Sequence, residues 1–459
     1  PAPIQSEIPE GSAPEMKVTK IGENHYKVES TQTQATGGFY PLIKFTHLKG
    51  KTVTIDLCGQ PFDHFGNTTM QYGYIKDLSD LKSFESPTTP DPKPQTPNPD
   101  YSARPRTGDW AALPDTSRQS WHFFKHERRD PGVLSLTQTF TEDTAYITDR
   151  VPYTPEYNQN YLNTLRNNPY VEVVEIGKSD EGRSLKLVKT RSTAEDERKK
   201  PCVLIYAREH CDEQDASWVA QGAIDFLASD NSQAKSVRQH CTFFVIPLFD
   251  PDGAIAGTHE NIINGFTPGQ EHPETLAYGA WFKKWVDDGK RLDICISAHD
   301  PPPSSAFHVA CPMMEPQPDR LAASEKLHGQ VRAALTSAGF LVRHTPWTTG
   351  QLPNRFSGWL SHCYGTLPIP YEINSLTPKR ELGLAEIRQL GRCITVGADT
   401  YLSSNDGRSF LARVDDIRRS RASEWSIAPQ KIVSYGPIES EDWIAQKKAM
   451  TTIRNNNAP

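Results

Sequence analysis

Three things are scarce in this 459-residue chain. No run is long and apolar enough to span a bilayer, which excludes a conventional membrane-spanning helix. No stripe of basic residues interrupts a nearly balanced charge (50 Lys and Arg against 56 Asp and Glu, net −6, sequence pI about 6.2), which argues against a nucleic-acid partner. Cysteine is sparse at eight residues, and Cys202, Cys241, Cys295 and Cys311 fall in or beside apolar runs. They read as small buried hydrophobes more readily than as a disulfide framework. What remains is a polar globular composition, 36% hydrophobic with a mean hydropathy of −0.60, long enough for roughly two or three domains. Proline is abundant instead, at 37 residues, and concentrates in loops. The first residues, Pro-Ala-Pro without an initiator Met, read as processing and tilt the expectation slightly towards a secreted or periplasmic protein over a cytoplasmic one.

Patterning divides the chain. Residues 1–15 are rich in Pro, Ser and Glu and are expected to form a poorly ordered leader. Over 16–149, short alternating segments (17–21, 25–30, 51–57, 144–149) separated by turns predict an antiparallel β-sandwich domain. A proline-dense stretch within 86–107 is expected as an exposed loop. The character changes near Val151-Pro-Tyr-Thr-Pro155. From about 150 to 403, apolar strands (201–206, 241–249, 292–299, 367–372) alternate with amphipathic helices (215–227, 275–287, 319–338, 378–403). That pattern predicts an α/β domain with a mixed, largely parallel sheet flanked by helices. Residues 404–459 are charged and weakly patterned, a C-terminal extension without assigned function, in which a solvated helix near Asp415 is conceivable.

The chemistry sits at strand exits. Leu204-Ile-Tyr-Ala-Arg-Glu-His210-Cys-Asp-Glu213 is an apolar strand ending in a His-x-x-Glu pair. A second strand ends at His299 and a third at Glu372. Two imidazoles and one carboxylate are a usual zinc set, and a separate carboxylate supplies a base. In open α/β sheets ligands bind at the carboxyl ends of strands, where His210, Asp250, His299 and Glu372 all fall. Cys211 lies between two candidate ligands, but its place in the turn faces it elsewhere. The Trp218 helix face reads as core.

These residues resemble the zinc metallocarboxypeptidases, within them the cytosolic-carboxypeptidase-like branch with an N-terminal β-sandwich. The resemblance spans most of 17–403. It is carried by Ala207-Arg-Glu-His210-Cys-Asp-Glu213, the Ser217-Trp218 step, Gly222, Gly177-Lys-Ser-x-Glu-Gly-Arg183, Asp250-Pro-Asp-Gly253 and His272-Pro-Glu. It implies one zinc ion per chain held by His210, Glu213 and His299, with Glu372 as general base, and hydrolysis of an amide bond near a peptide C-terminus by zinc-bound water. The branch would point to the cytoplasm, against the processed start.

One absence cuts across the resemblance. The family holds its substrate carboxylate with arginines after the Asp-Pro-Asp-Gly turn, yet no arginine occurs between Arg238 and Arg291. Arg355, ahead of the Glu372 strand, is a candidate substitute. Arg208, beside the metal turn, is a candidate catalytic or substrate group, or a brace for a carboxylate. His259 and Glu260 are candidate substrate-binding residues. Asp300, with Glu260, could recognise a cation, and Asn374 flanks the base. Two alternatives stay open: a zinc-dependent deacylase of N-acyl amino acids or amidase on a non-standard peptide, and a zinc-retaining binding module of little activity.

Overall fold

The structure is a computed structural model. It describes residues 2–13, 15–30, 40–59, 70–75, 77–79, 121–124, 126–130, 133–257, 262, 265–266, 270–300, 318–340, 355–373 and 382–421.

The N-terminal region is two stacked five-stranded sheets. Its strands are β1 (Gln5–Glu7), β2 (Met16–Gly22), β3 (His25–Ser30), β4 (Leu42–Thr46), β5 (Thr52–Cys58), β6 (Gln71–Gly73), β7 (Trp121–Phe123), β8 (His126–Asp130), β9 (Val133–Thr139) and β10 (Ala145–Thr148). One sheet runs β1-β4-β10-β6-β7 and the other β2-β3-β5-β9-β8. Alternation decides the packing: Val53, Ile55 and Leu57 of β5 point inward against Ile43 and Phe45 of β4 and Leu134 and Leu136 of β9, while the intervening threonines face out. One pairing departs from the antiparallel expectation. β3 and β5 are parallel, because β4, which lies between them in sequence, belongs to the other sheet.

The expected leader is structured. β1 pairs with β4, and the Gly11 N–H donates to the Ile255 carbonyl of the following domain. Gln5, Ser6 and Glu7 are all exposed, so no hydrophobic alternation announced this edge strand. The proline-dense stretch lies outside the described residues.

The second region contains α1 (Pro155–Thr164), β11 (Val171–Lys178), β12 (Ser184–Thr190), α2 (Ala194–Lys199), β13 (Cys202–Ala207), α3 (Gln214–Leu227), α4 (Ser232–His240), β14 (Thr242–Ile246), α5 (Pro251–Ala256), α6 (Pro273–Asp287), β15 (Ile294–His299), α7 (Pro318–Ser337), α8 (Phe356–Tyr364), β16 (Leu367–Glu372) and α9 (Leu384–Ser403). The sheet order is β11-β12-β14-β13-β15-β16, with β14, β13, β15 and β16 mutually parallel and the β11–β12 hairpin antiparallel at one edge.

Both faces are covered, which explains the near-continuous apolar strands. Val203, Ile205 and Ala207 pack towards α3, α7 and α9, while Cys202, Leu204 and Tyr206 pack towards α6 and α8. The α3–α9 crossing is close because glycine allows it: a Cβ on Gly222 would stand 1.8 Å from the Arg388 carbonyl oxygen.

The C-terminal extension begins with a docked helix, α10 (Asn405–Arg421). Phe410 and Val414, four apart on one face, are buried against the core, and Arg291 donates to Asp415 at 2.8 Å. No helix among the described residues is long and apolar enough to cross a membrane.

Candidate metal centre

Three parallel strands deliver the site. β13 ends at Ala207, β15 at His299 and β16 at Glu372, and His299 stands opposite Glu372 in register. After β13 the chain turns through Arg208, a non-glycine residue held at φ +70°. That left-handed conformation costs on the order of 1–3 kcal/mol and persists only where surroundings over-determine it. Here they do. The Arg208 side chain is buried and donates from Nε to the Cys211 carbonyl (2.6 Å) and from Nη1 to the Tyr153 carbonyl (3.0 Å). Its guanidinium is thus committed inward to the loop. Arg208 braces the metal turn, the alternative that the sequence left open beside a catalytic part.

His210, Glu213 and His299 converge, with one donor atom from each lying within 4.8 Å of the others. Glu213 Oε1 is 2.7 Å from His210 Nδ1, and Oε2 is 2.9 Å from His299 Nδ1. The two Nδ1 atoms are 3.3 Å apart. Two imidazole nitrogens on a tetrahedral zinc at 2.0–2.1 Å stand roughly 3.3–3.4 Å apart, so the donor set fits that ion in kind and the two imidazoles fit it in spacing. Cys211 is buried and is not part of this group.

The local charge is negative. Burial would raise the Glu213 carboxyl, but the two imidazoles overcome it and hold it well below the usual range. Burial would lower His299, but Glu213, Glu372 and Glu209 push it up to about 10. Glu372 is raised by its own burial, against the pull of His299.

A support lies behind the ligands that sequence reasoning missed. Glu213 is the N-cap of α3 yet makes no side-chain cap bond, since its carboxylate is turned to the imidazoles. The capping acceptor comes from elsewhere: Asp300, the residue after His299, accepts the Asp215 N–H at 2.8 Å. Asp300 is therefore engaged in the protein interior, which overturns its candidacy as a reader of substrate cations. Arg150 faces the same carboxylates, with Nε 3.6 Å from Asp300 and 3.7 Å from Asp215 and Nη1 3.9 Å from Asp149. Its carbonyl accepts from Tyr40 and Thr148 in the sandwich. Arg150 precedes Val151-Pro-Tyr, where the sequence shows only a domain junction.

Arg355 is half-buried at the N-cap of α8, and makes no side-chain cap bond there. Trp218 is core, as expected, stacked edge-on to Tyr153 and donating to the Val151 carbonyl. His259, Glu260 and Asn374 lie outside the described residues. All seven described cysteines are free thiols.

Residues 159–283 match the family model for zinc carboxypeptidase. Human cytosolic carboxypeptidase 1 is 32% identical over 153 residues, which is 29% of this chain and 12% of that protein. Mouse cytosolic carboxypeptidase 6 is 31% identical over 172 residues, 36% of this chain and 31% of that protein. The matched segments thus span less than a third of those relatives. Among solved structures, a metallo-carboxypeptidase from Burkholderia cenocepacia aligns with a TM-score of 0.67 at 16% identity, covering 87% of this chain and 99% of that one. The Pseudomonas aeruginosa metallo-carboxypeptidase in complex with (2-guanidinoethylmercapto)succinic acid aligns at 0.63 and 15%, covering 87% and 99%. These two likenesses show the fold, sandwich included. The slight expectation of export is overturned: the curated relatives matched by sequence are cytosolic carboxypeptidases, and the Pro-Ala-Pro start does not outweigh them.

Proposed function

From the premise that this chain carries a zinc carboxypeptidase domain, we propose that it removes residues from peptide C-termini by zinc-assisted hydrolysis, in the cytoplasm. The observation that carries this reading is the convergence of His210, Glu213 and His299 beside Glu372 at the ends of three parallel strands. His210 and His299 through Nδ1 and Glu213 through its carboxylate would hold one zinc. When bound, the ion polarises the scissile carbonyl and makes water a better nucleophile near neutral pH.

The remaining work belongs to the chain. Glu372 takes a proton from the attacking water and returns it to the leaving amine. Its buried position, which raises its carboxyl, favours that exchange, because an acid of raised pKa gives the proton back readily. Glu213, held ionised, offsets the positive charge of the ion. Arg208 and Asp300 keep the turn and the α3 N-terminus fixed. Arg355 is proposed as the contact for the substrate carboxylate, since a guanidinium is the natural partner of that group. His259 and Glu260 are proposed substrate contacts on sequence grounds alone.

The absence of arginine between Arg238 and Arg291 makes the substrate end the point to test. Paired peptides that differ only in a free or amidated C-terminus would be incubated with the zinc-loaded protein. Trimming of the free acid alone supports the carboxypeptidase reading. Equal cleavage of both, or turnover of N-acyl amino acids in place of either, favours the deacylase or amidase reading.

A further inference from the structure

Glu209 is the residue that the mechanism leaves unexplained. It sits between Arg208 and His210 on the metal turn and is only 3% exposed. Its Oε2 accepts the Tyr206 hydroxyl at 3.1 Å and stands 3.9 Å from His299 Nε2. Its Oε1 is buried with no hydrogen-bond partner among the described residues. A buried carboxylate with a single neutral donor is costly to keep, and a glutamine or a methionine would fill the same space more cheaply. The position is therefore poor for stability alone.

The geometry of His299 supplies a reason. Its Nδ1 faces Glu213 and His210, on the side where the metal would lie. The ring's other nitrogen, Nε2, must then carry the hydrogen, and the charged group near it is Glu209. At 3.9 Å the Glu209 carboxylate is beyond hydrogen-bond range of Nε2 and acts on it as a nearby negative charge, which favours the Nε2–H tautomer and strengthens the ring as a ligand.

We propose that Glu209 is a positioning residue for the metal ligand His299, holding its Nε2–H side so that Nδ1 is presented to zinc. The proposal rests on the zinc reading of His210, Glu213 and His299.

The test uses the full chain and two variants, Glu209→Gln and Glu209→Ala. Zinc affinity would be measured by competition with a chromophoric chelator, and thermal melting would be followed on the zinc-free proteins. The expected result is a loss of zinc affinity of roughly 10–100-fold in Glu209→Ala and a smaller loss in Glu209→Gln. One zinc would still bind at high concentration, and the zinc-free variants would melt at or above the wild-type temperature. Wild-type zinc affinity in both variants would overturn the proposal. So would weakened binding accompanied by a lower melting temperature of the zinc-free proteins, since that is the mark of a purely structural role. If the wild-type chain itself takes up no zinc, the metal reading of the site fails first, and that outcome is distinct because it precedes any comparison of variants.

Discussion

Replacing Arg150 with methionine removes a cation that faces three buried carboxyl groups while keeping much of the length and apolar stem of the side chain. The guanidinium stands 3.6, 3.7 and 3.9 Å from Asp300, Asp215 and Asp149, all nearly inaccessible to solvent. At an effective dielectric constant of about 20, each contact is worth roughly 4–5 kcal/mol of Coulomb energy before desolvation is subtracted. Desolvation offsets most of that sum, and deleting one member of a buried pair costs about 3–5 kcal/mol net. For a cooperative unit of about 250 residues this is a fall in melting temperature of roughly 6–10 °C. The loss is pH-dependent with a definite sign. Burial already raises the Asp149 and Asp300 carboxyls above their unfolded values while Arg150 pulls them back, so without Arg150 they rise further and the stability lost on deletion grows as pH rises. Thermal melts of wild type and Arg150→Met across pH 5 to 8 should therefore diverge towards the alkaline end. A variant that melts within about 2 °C of wild type at pH 8 would refute the assignment of Arg150 as the counter-charge that ties the sandwich to the metal ligands.

Other outcomes follow from the same structure. Burial raises the Asp149 carboxyl to about 7, so the wild type should lose stability as pH climbs from about 4 through 7, by up to roughly 1.4 kcal/mol per unit. Asp149→Asn should be flatter in chemical denaturation over that window, and a parallel curve would contradict it. Gly222→Ala forces a Cβ to within 1.8 Å of the Arg388 carbonyl, so α3 and α9 must part. A cost of about 1–3 kcal/mol is expected by denaturant titration, and a neutral result would count against the close crossing. Zinc at 1,000 times its dissociation constant should raise stability by about 4 kcal/mol, so chelation should lower the melting temperature by roughly 8 °C and re-addition should restore it.

The catalytic domain was legible because its signals are local. A strand covered on both faces reads as an unbroken apolar run, as Cys202–Ala207 does. Ligands at the ends of such runs inherit a position from the topology, so the sequence alone places His210, Glu213, His299 and Glu372 in one region. The supporting groups were not legible. Arg150 and Asp300 are 150 positions apart in the chain, and nothing periodic links them. The Asp300 cap of α3 joins two loops that meet only in the folded sheet. β1 was missed because an edge strand exposed on both faces has no alternation to read, and the docking of α10, expected as a solvated helix, because Phe410 and Val414 anchor an otherwise charged segment. The part played by Arg208 stayed open between two readings for a different reason. Its place beside the metal turn is visible in sequence, but the φ of +70° that turns its side chain into the loop is not.

The central claim is that Glu372 drives proton transfer at a zinc centre acting on a peptide C-terminus. It is tested most directly by mass spectrometry of a mixed peptide library incubated with wild type and with Glu372→Gln, both first shown to hold one zinc per chain. The account predicts products shortened one residue at a time from the carboxyl end with wild type, and none above background with Glu372→Gln. Equal trimming by the two proteins, or no carboxyl-terminal trimming by a zinc-loaded wild type, would contradict it.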